Sequence, residues 1–267
     1  NMPFTPAHPA AIIPLARLGL PLSALIVGSL APDFAKIFTL KPGNHFGHSW
    51  SGILWFSLPV GLFSLWIFHR ILREPLYALL PGNLQQRLAP WMNPFPFRQP
   101  RRFALICFSI CLGAFTHLLW DSFTHQHGLG ARHLPILQST VIDTRFGPLK
   151  LFKVLHHFIT VAGMAIVLGW LALWVKSAPP HPVNERYGLS ASNKLKGWAM
   201  VTLTALTISL WQNVAPMHVF SEFVSFTGRF IVCFMAMFVI GTMLFSMAWH
   251  LLPKAMADRQ ISENQPP

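Results

Sequence analysis

Charge is scarce in this 267-residue sequence: Lys, Arg, Asp and Glu together make up 10% of it, and only 8 residues are acidic. A water-soluble domain carries roughly 25% charged residues to cover its surface, so composition excludes an ordinary soluble fold. Cysteine is sparse too. Cys107, Cys111 and Cys233 lie in apolar segments without a CxxC pair, which excludes a disulfide framework and a cysteine metal site. There is no GxSxG, no P-loop, and no GxGxxG between a strand and a helix, so acyl-serine, nucleotide and dinucleotide chemistries have no support. No internal repeat of fixed period is present. The formal charge of +12 invites a nucleic-acid reading. The basic residues, however, are spread over loops between apolar segments, with no basic helix carrying interleaved aromatics, so nucleic acid is not an expected partner.

What the sequence does have is apolar length: 53% hydrophobic residues, with 23 Phe and 10 Trp. A bilayer-spanning helix takes about 20 apolar residues. Residues 103–119 (extended to about 125), 158–175, 198–214 and 230–252 meet this cleanly. Residues 53–71 do so despite Pro59, which a membrane helix tolerates when its neighbours satisfy the freed carbonyl. Residues 10–30 are a sixth apolar stretch, interrupted by Pro14 and Pro21, and expected to be broken, interfacial or re-entrant. No basic n-region precedes it, so it does not read as a cleaved signal. The expectation is an all-α, polytopic membrane helical bundle of about five spans with the bilayer as partner. It forms a single domain over 1–257, with a core of about 2–170, additional helices over about 198–252, and a disordered tail over 258–267.

Orientation follows from Lys and Arg. Twelve of the 20 fall on the face reached after residue 71, dominated by the Pro-rich loop 80–102. That face is expected to be cytoplasmic, with the C-terminus on the same side. Histidine runs the other way. Of 13, only His69, His181 and His250 fall on the basic face, and these read as interface or loop residues. Solubility gives no reason for this segregation; a site on the opposite, periplasmic face does.

The strongest local signal is Gly113-Ala-Phe-Thr-His-Leu-Leu-Trp-Asp-Ser-Phe-Thr-His125. On a helix of 3.6 residues per turn, His117, Asp121 and His125 share one face. An Asp in an apolar span is unfavourable by about 2.5–3.5 kcal/mol at the helix centre and faces a partner or a cavity. A divalent cation neutralises a carboxylate directly; a neutral imidazole does not. The rise from His117 to His125 is about 12 Å, so either two of the three ligate one ion or Asp121 bridges two. His45 and His48 sit at the entrance of the 53–71 span and are candidates for the remaining ligands, as is Asp33. His8 and Asp33 flank the 10–30 stretch and would lie about 35 Å apart on a straight helix. They can share a site only if that stretch bends back. The bland alternative is a polar cluster that ties helices together, with His127, His156 and His157 as interfacial residues. A His/carboxylate set without cysteine suits zinc, with manganese or iron(II) as alternatives.

Several segments also resemble an uncharacterised bacterial multi-span family, a domain of unknown function. They are Met2-Pro-Phe-Thr-Pro-Ala-His-Pro9, Ser23-Ala-Leu-Ile-Val-Gly-Ser-Leu-Ala-Pro-Asp33, Phe46-Gly-His-Ser-Trp-Ser-Gly52 and Thr116-His-Leu-Leu-Trp-Asp-Ser-Phe-Thr-His125. Those sequences are in turn distantly similar to inner-membrane proteins labelled membrane-bound metal-dependent hydrolases, a label that rests on a faint similarity to zinc-dependent phospholipase C. The resemblance implies an all-helical fold with His8, Asp33, His48, His117 and Asp121 as metal ligands and His125 as an additional side chain. This chain departs from the pattern at Gly47, where Thr would precede the His-Ser pair.

The expected function is therefore a membrane-embedded metal-dependent hydrolase acting at the periplasmic face on a lipid-linked phosphoester or ester. Asp33 and Asp121 would anchor the ion, and His125 would act with Asp121 in catalysis as a proton shuttle. The alternatives are a non-enzymatic metal-binding transporter or sensor, and a structural membrane protein.

Overall fold

The computed structural model describes residues 5–35, 46–126, 128–144, 147–212 and 220–251. His45, His127, His218, residues 2–4 of the opening motif, the last two residues of the 198–214 span, and the 258–267 tail lie outside the described residues. Nine α-helices are described: α1 (Leu22–Leu30), α2 (Leu58–Ile67), α3 (Arg73–Leu79), α4 (Gly82–Leu88) and α5 (Pro100–Thr124). They continue with α6 (Leu129–His133), α7 (Leu151–Ser177), α8 (Ala191–Gln212) and α9 (Phe220–Leu251). One antiparallel hairpin, β1 (Thr140–Thr144) with β2 (Gly147–Lys150), is the sole sheet among them. The fold is all-α, as composition requires.

Four helices are long and apolar enough to cross a membrane: Ile53–Leu79, Pro100–His133, Leu151–Ser177 and Phe230–Leu251. They mark the chain as a membrane protein. The predicted 198–214 span lies in α8, whose first turns (Ala191-Ser-Asn-Lys-Leu-Lys196) are polar. The 10–30 stretch is broken, as its prolines suggest. Two 3-10 segments, Thr5–Ile12 and Pro14–Leu18, lead into Gly19, whose φ of +73° is a left-handed conformation that favours glycine. After Pro21 comes α1, which at nine residues is only about 13 Å long, too short to cross. Large apolar side chains stand exposed along the longer helices: Trp55, Phe63, Phe158, Val161 and Leu173. Lipid, not protein, covers such surfaces.

The chain divides into two compact units, residues 1–65 with 96–176 and residues 66–95 with 177–267. In the first, α5 opens with Pro100, whose missing N–H would be unpaired in the first turn anyway. It runs 25 residues to a stop where the extended His125 closes its N–H on the Asp121 carbonyl. Small residues let α1 lie directly on it. A Cβ on Gly28 would come within 2.3 Å of the Ile110 carbonyl oxygen, and one on Gly113 within 2.4 Å of the Leu25 oxygen. With no hydrophobic force between helices in lipid, close backbone approach of this kind is what holds them together. Ala24, Leu25, Ile110 and Ala114 fill the contact.

In the second unit, Tyr77, Ala78 and Tyr187 form a small core. The buried Gln85 side chain donates to the carbonyls of Tyr77 (2.9 Å), Ala78 (3.2 Å) and Tyr187 (3.1 Å) and accepts from Lys194 Nζ at 3.0 Å. These bonds tie the end of α3 and the Tyr187 turn to the first turn of α8, adding to the Leu80 and Leu189 N–H groups that also reach the Tyr77 and Tyr187 carbonyls. Val201 meets Gly241 and Trp198 stacks on Phe238, packing α8 against α9.

Candidate metal centre

The close approach at Gly28 and Gly113 has a direct consequence one turn further along. His117 Nδ1 lies 2.7 Å from the Ser29 carbonyl oxygen, which can only accept, so Nδ1 carries the hydrogen. In the neutral ring the Nε2 lone pair is then free to face inward. It points at carboxylates: 3.3 Å from Asp121 Oδ2 and 3.8 Å from Asp33 Oδ1. Asp33 arrives on a 3-10 turn, Ala31–Asp33, that continues α1. Thr5 Oγ1 donates to its Oδ2 at 2.6 Å, which leaves Oδ1 for the centre.

His48 is delivered by a turn that presses its backbone onto Pro32, so tightly that a Cβ on Gly47 would sit 2.3 Å from the Pro32 oxygen. Glycine at 47 therefore has a local reason. His48 Nε2 lies 3.0 Å from Asp33 Oδ1 and 3.4 Å from Asp121 Oδ2. His8 comes from the opposite side on the Thr5–Ile12 segment, against which α7 packs through Gly163. Its Nε2 is 3.7 Å from Asp121 Oδ1 and its ring stacks on His117 with centroids 3.7 Å apart.

The structure thus brings His8, Asp33, His48, His117 and Asp121 together. His8, Asp33, His117 and Asp121 are all buried, although they come from three separate stretches of chain. Two overlapping trios, His8/His117/Asp121 and Asp33/His48/His117, each place one ligand atom per residue within 4.8 Å of the others. They share His117, and with Nδ1 on the Ser29 carbonyl it is Nε2 that faces the carboxylates.

Three of the five nitrogen–oxygen distances match the donor spacing of a bound ion. Ions bound by N and O at about 2.0–2.1 Å hold adjacent donors roughly 2.9–3.4 Å apart. The observed 3.0, 3.3 and 3.4 Å fall on that range, and 3.7 and 3.8 Å just outside it. Most are too long for N–H···O hydrogen bonds. His117 Nε2 and both Asp121 oxygens are buried and make no hydrogen bond among the described residues. Two carboxylates in one buried pocket are unfavourable by several kcal/mol per charge unless something positive joins them. Protonating both stacked imidazoles is a poor solution, since like charges about 4 Å apart repel by about 4 kcal/mol even at an effective dielectric of 20. A divalent cation held by either trio would supply that positive charge. The cluster can hold a metal ion.

His125 stands at the rim. It is 34% exposed on its side chain, with Nδ1 3.6 Å from Asp121 Oδ1 and 3.2 Å from the Asp121 carbonyl oxygen. It belongs to neither trio, in keeping with the 12 Å rise that separates it from His117. Three contributors carried no signal in the sequence. Thr5 orients Asp33, and its place in the opening motif three residues before His8 was the only hint. The Ser29 carbonyl fixes the His117 tautomer, and a backbone atom has no sequence signature. His156, read as interfacial, is buried, with its ring edge-on to His125 at 5.6 Å. Outside this region, His69 stacks on Phe95, and His250 Nε2 lies 3.0 Å from the Ile71 carbonyl.

Fold and site together define an all-α membrane protein with a buried His/Asp cluster able to hold a metal ion. Residues 2–247 match the family described as Domain of unknown function (DUF4184), and the chain belongs to it. No curated protein and no solved structure matches the chain.

Proposed function

We propose that the protein is a metal-dependent hydrolase of the bacterial inner membrane, acting at the periplasmic face on a lipid-linked phosphoester or ester. The observation that carries the reading is the pair of overlapping trios, His8/His117/Asp121 and Asp33/His48/His117, next to a one-third-exposed histidine at a helix end. His8, Asp33, His48, His117 and Asp121 hold the ion. Zinc is the first expectation, and five donors with two carboxylates also accommodate manganese or iron(II). When bound, such an ion activates water and polarises a phosphoryl or carbonyl oxygen.

The chain's own groups do the rest. Ser29 holds His117 in the ligating tautomer, and Thr5 turns Asp33 so that one oxygen faces the centre. His125, within reach of Asp121 and open to solvent, moves the proton. The position of the cluster in the last two turns of a spanning helix favours a substrate whose scissile group lies at headgroup depth. The resemblance of His117-x-x-x-Asp121, the Pro-Asp at 33 and the N-terminal His8 to membrane-bound metal-dependent hydrolases supports the same reading.

The test is turnover. Wild-type protein, reconstituted with bacterial phospholipids and lipid-linked phosphates, is expected to release a water-soluble headgroup or fatty acid detectable by mass spectrometry. Chelation and Asp121→Asn should each abolish the release. No product from any lipid by metal-replete protein, or equal turnover by Asp121→Asn, overturns the proposal.

A further inference from the structure

The connection between α5 and α7 exposes apolar side chains that a water-facing loop has no reason to carry. Ile136 is 67% exposed and Ile142 57%, and Leu129, Leu134 and Val141 are exposed as well. The connection is fastened in place. Gln138 Nε2 donates to the carbonyls of Gln126 (3.2 Å) and Ala131 (3.1 Å), and Lys150 Nζ donates to Gln138 Oε1 at 3.4 Å. The Leu151 N–H closes on the Ser139 carbonyl at 3.0 Å. Gly128 and Gly130 fold the chain back onto the end of α5, so closely that added Cβ atoms would lie 2.3 Å from the Ser122 oxygen and 2.6 Å from the Phe123 ring.

Beyond the register shift between Thr140 and Ile142, where Val141 falls, the hairpin separates its side chains by face. Ile142 pairs with Leu149, and Thr144 with Gly147, so one face is uncharged. Asp143 pairs with Pro148 on the other face, because neighbouring residues of a strand point to opposite sides. Thr144 Oγ1 is turned onto the Gly147 carbonyl at 2.7 Å, which spends its polarity within the hairpin. A lone two-stranded hairpin is marginal in water, and every residue of β1 is exposed. Its apolar face needs a cover.

Chain continuity says what that cover is. α5 and α7, with 25 and 27 residues, are both long enough to cross a bilayer, so the segment joining their ends begins and finishes at the membrane surface. The exposed Arg132 beside Leu134 and Ile136 completes the pattern of an interfacial element, a cation for phosphate next to apolar side chains for the acyl boundary.

We infer that the two strands, residues 140–144 and 147–150, lie on the membrane surface: Ile142 and Leu149 enter the headgroup–acyl boundary of a phospholipid bilayer, and Asp143 faces water. This goes beyond the hydrolase reading and stands without it, since it needs no metal and no turnover. It gives the α5 end, where the His/Asp cluster sits, a second fixed contact with the leaflet.

Photo-crosslinking tests it. Benzoylphenylalanine replaces Ile142 in one full-length variant and Asp143 in another, each reconstituted in vesicles of phosphatidylethanolamine and phosphatidylglycerol. After illumination, intact mass should show several-fold more lipid adduct from position 142 than from position 143. Equal adduct at both positions, or none at 142, overturns the inference. So does a protein adduct of defined mass at 142 in native membranes, which would make the face a protein-docking surface. Metal content of the two variants, measured in parallel, reports separately on the cluster.

Discussion

Gly113→Ala is a single added methyl group with a large expected effect. The new Cβ would lie 2.4 Å from the Leu25 carbonyl oxygen and 2.7 Å from the Ser29 nitrogen, both of them backbone atoms. Comfortable contacts begin near 3.5 Å, so α1 has to retreat by about 1 Å. The His117 Nδ1 to Ser29 oxygen distance, now 2.7 Å, would then pass out of hydrogen-bonding range. Overpacking costs about 1–3 kcal/mol, and a stranded, buried imidazole N–H about 1–3 kcal/mol more. Gly169→Ala, in α7, is the control, because nothing lies within 4 Å of its would-be Cβ. Helix propensity makes that change neutral or favourable by up to about 1 kcal/mol. Thermal unfolding in detergent, followed by circular dichroism, should place Gly113→Ala several degrees below wild type and Gly169→Ala at or above it. Metal affinity, measured by chelator competition, should fall for Gly113→Ala only. If the two alanine variants behave alike in both measurements, the account of how α1 and α5 build the site is refuted.

Thr5→Val keeps shape but removes the donor to Asp33 Oδ2. Metal affinity should weaken by about 10–100-fold while the circular dichroism spectrum is unchanged, and an unaltered affinity would deny Thr5 its orienting role. His125→Gln should retain metal and lose turnover; chelator competition and the lipid-release assay together separate this from His117→Ala, which should lose both. Gln85→Leu strips the second unit of four hydrogen bonds, taking the Gln85 donor from the Ala78 carbonyl and leaving Lys194 Nζ with the Leu80 carbonyl. Its unfolding transition should drop by about 2–4 kcal/mol equivalent, with metal content per folded chain unchanged; a wild-type transition would show those bonds to be idle.

Much of the site was legible because its chemistry clashes with its setting. Asp121 is an acid in an apolar run, and the His117-x-x-x-Asp121-x-x-x-His125 spacing places the three on one helical face whatever the rest of the chain does. The meeting of His8 with Asp33 was legible only as a condition. Pro14 and Pro21 permit a bend, but Gly19 in a left-handed conformation is what turns the chain, and a lone glycine among apolar residues does not announce its φ. The α1–α5 contact was not legible at all: nothing marks Gly28 and Gly113 as partners until the carbonyls they approach are in view. The β hairpin was not legible, although Thr140-Val-Ile142 carries the β-branched signal, because three residues are too few to outweigh the glycines around them. His156 was read as interfacial alongside His157, and sequence adjacency says nothing about which of two successive ring directions is buried.

The most direct test is elemental analysis of detergent-purified wild-type protein beside Asp121→Ala and a doubly substituted Asp33→Ala/His48→Ala variant, each checked for helical content. The account predicts about one tightly held transition-metal ion per wild-type chain and almost none in either variant. Folded wild-type protein that stays metal-free after incubation with zinc, manganese and iron(II), or variants that keep the full complement, would contradict it.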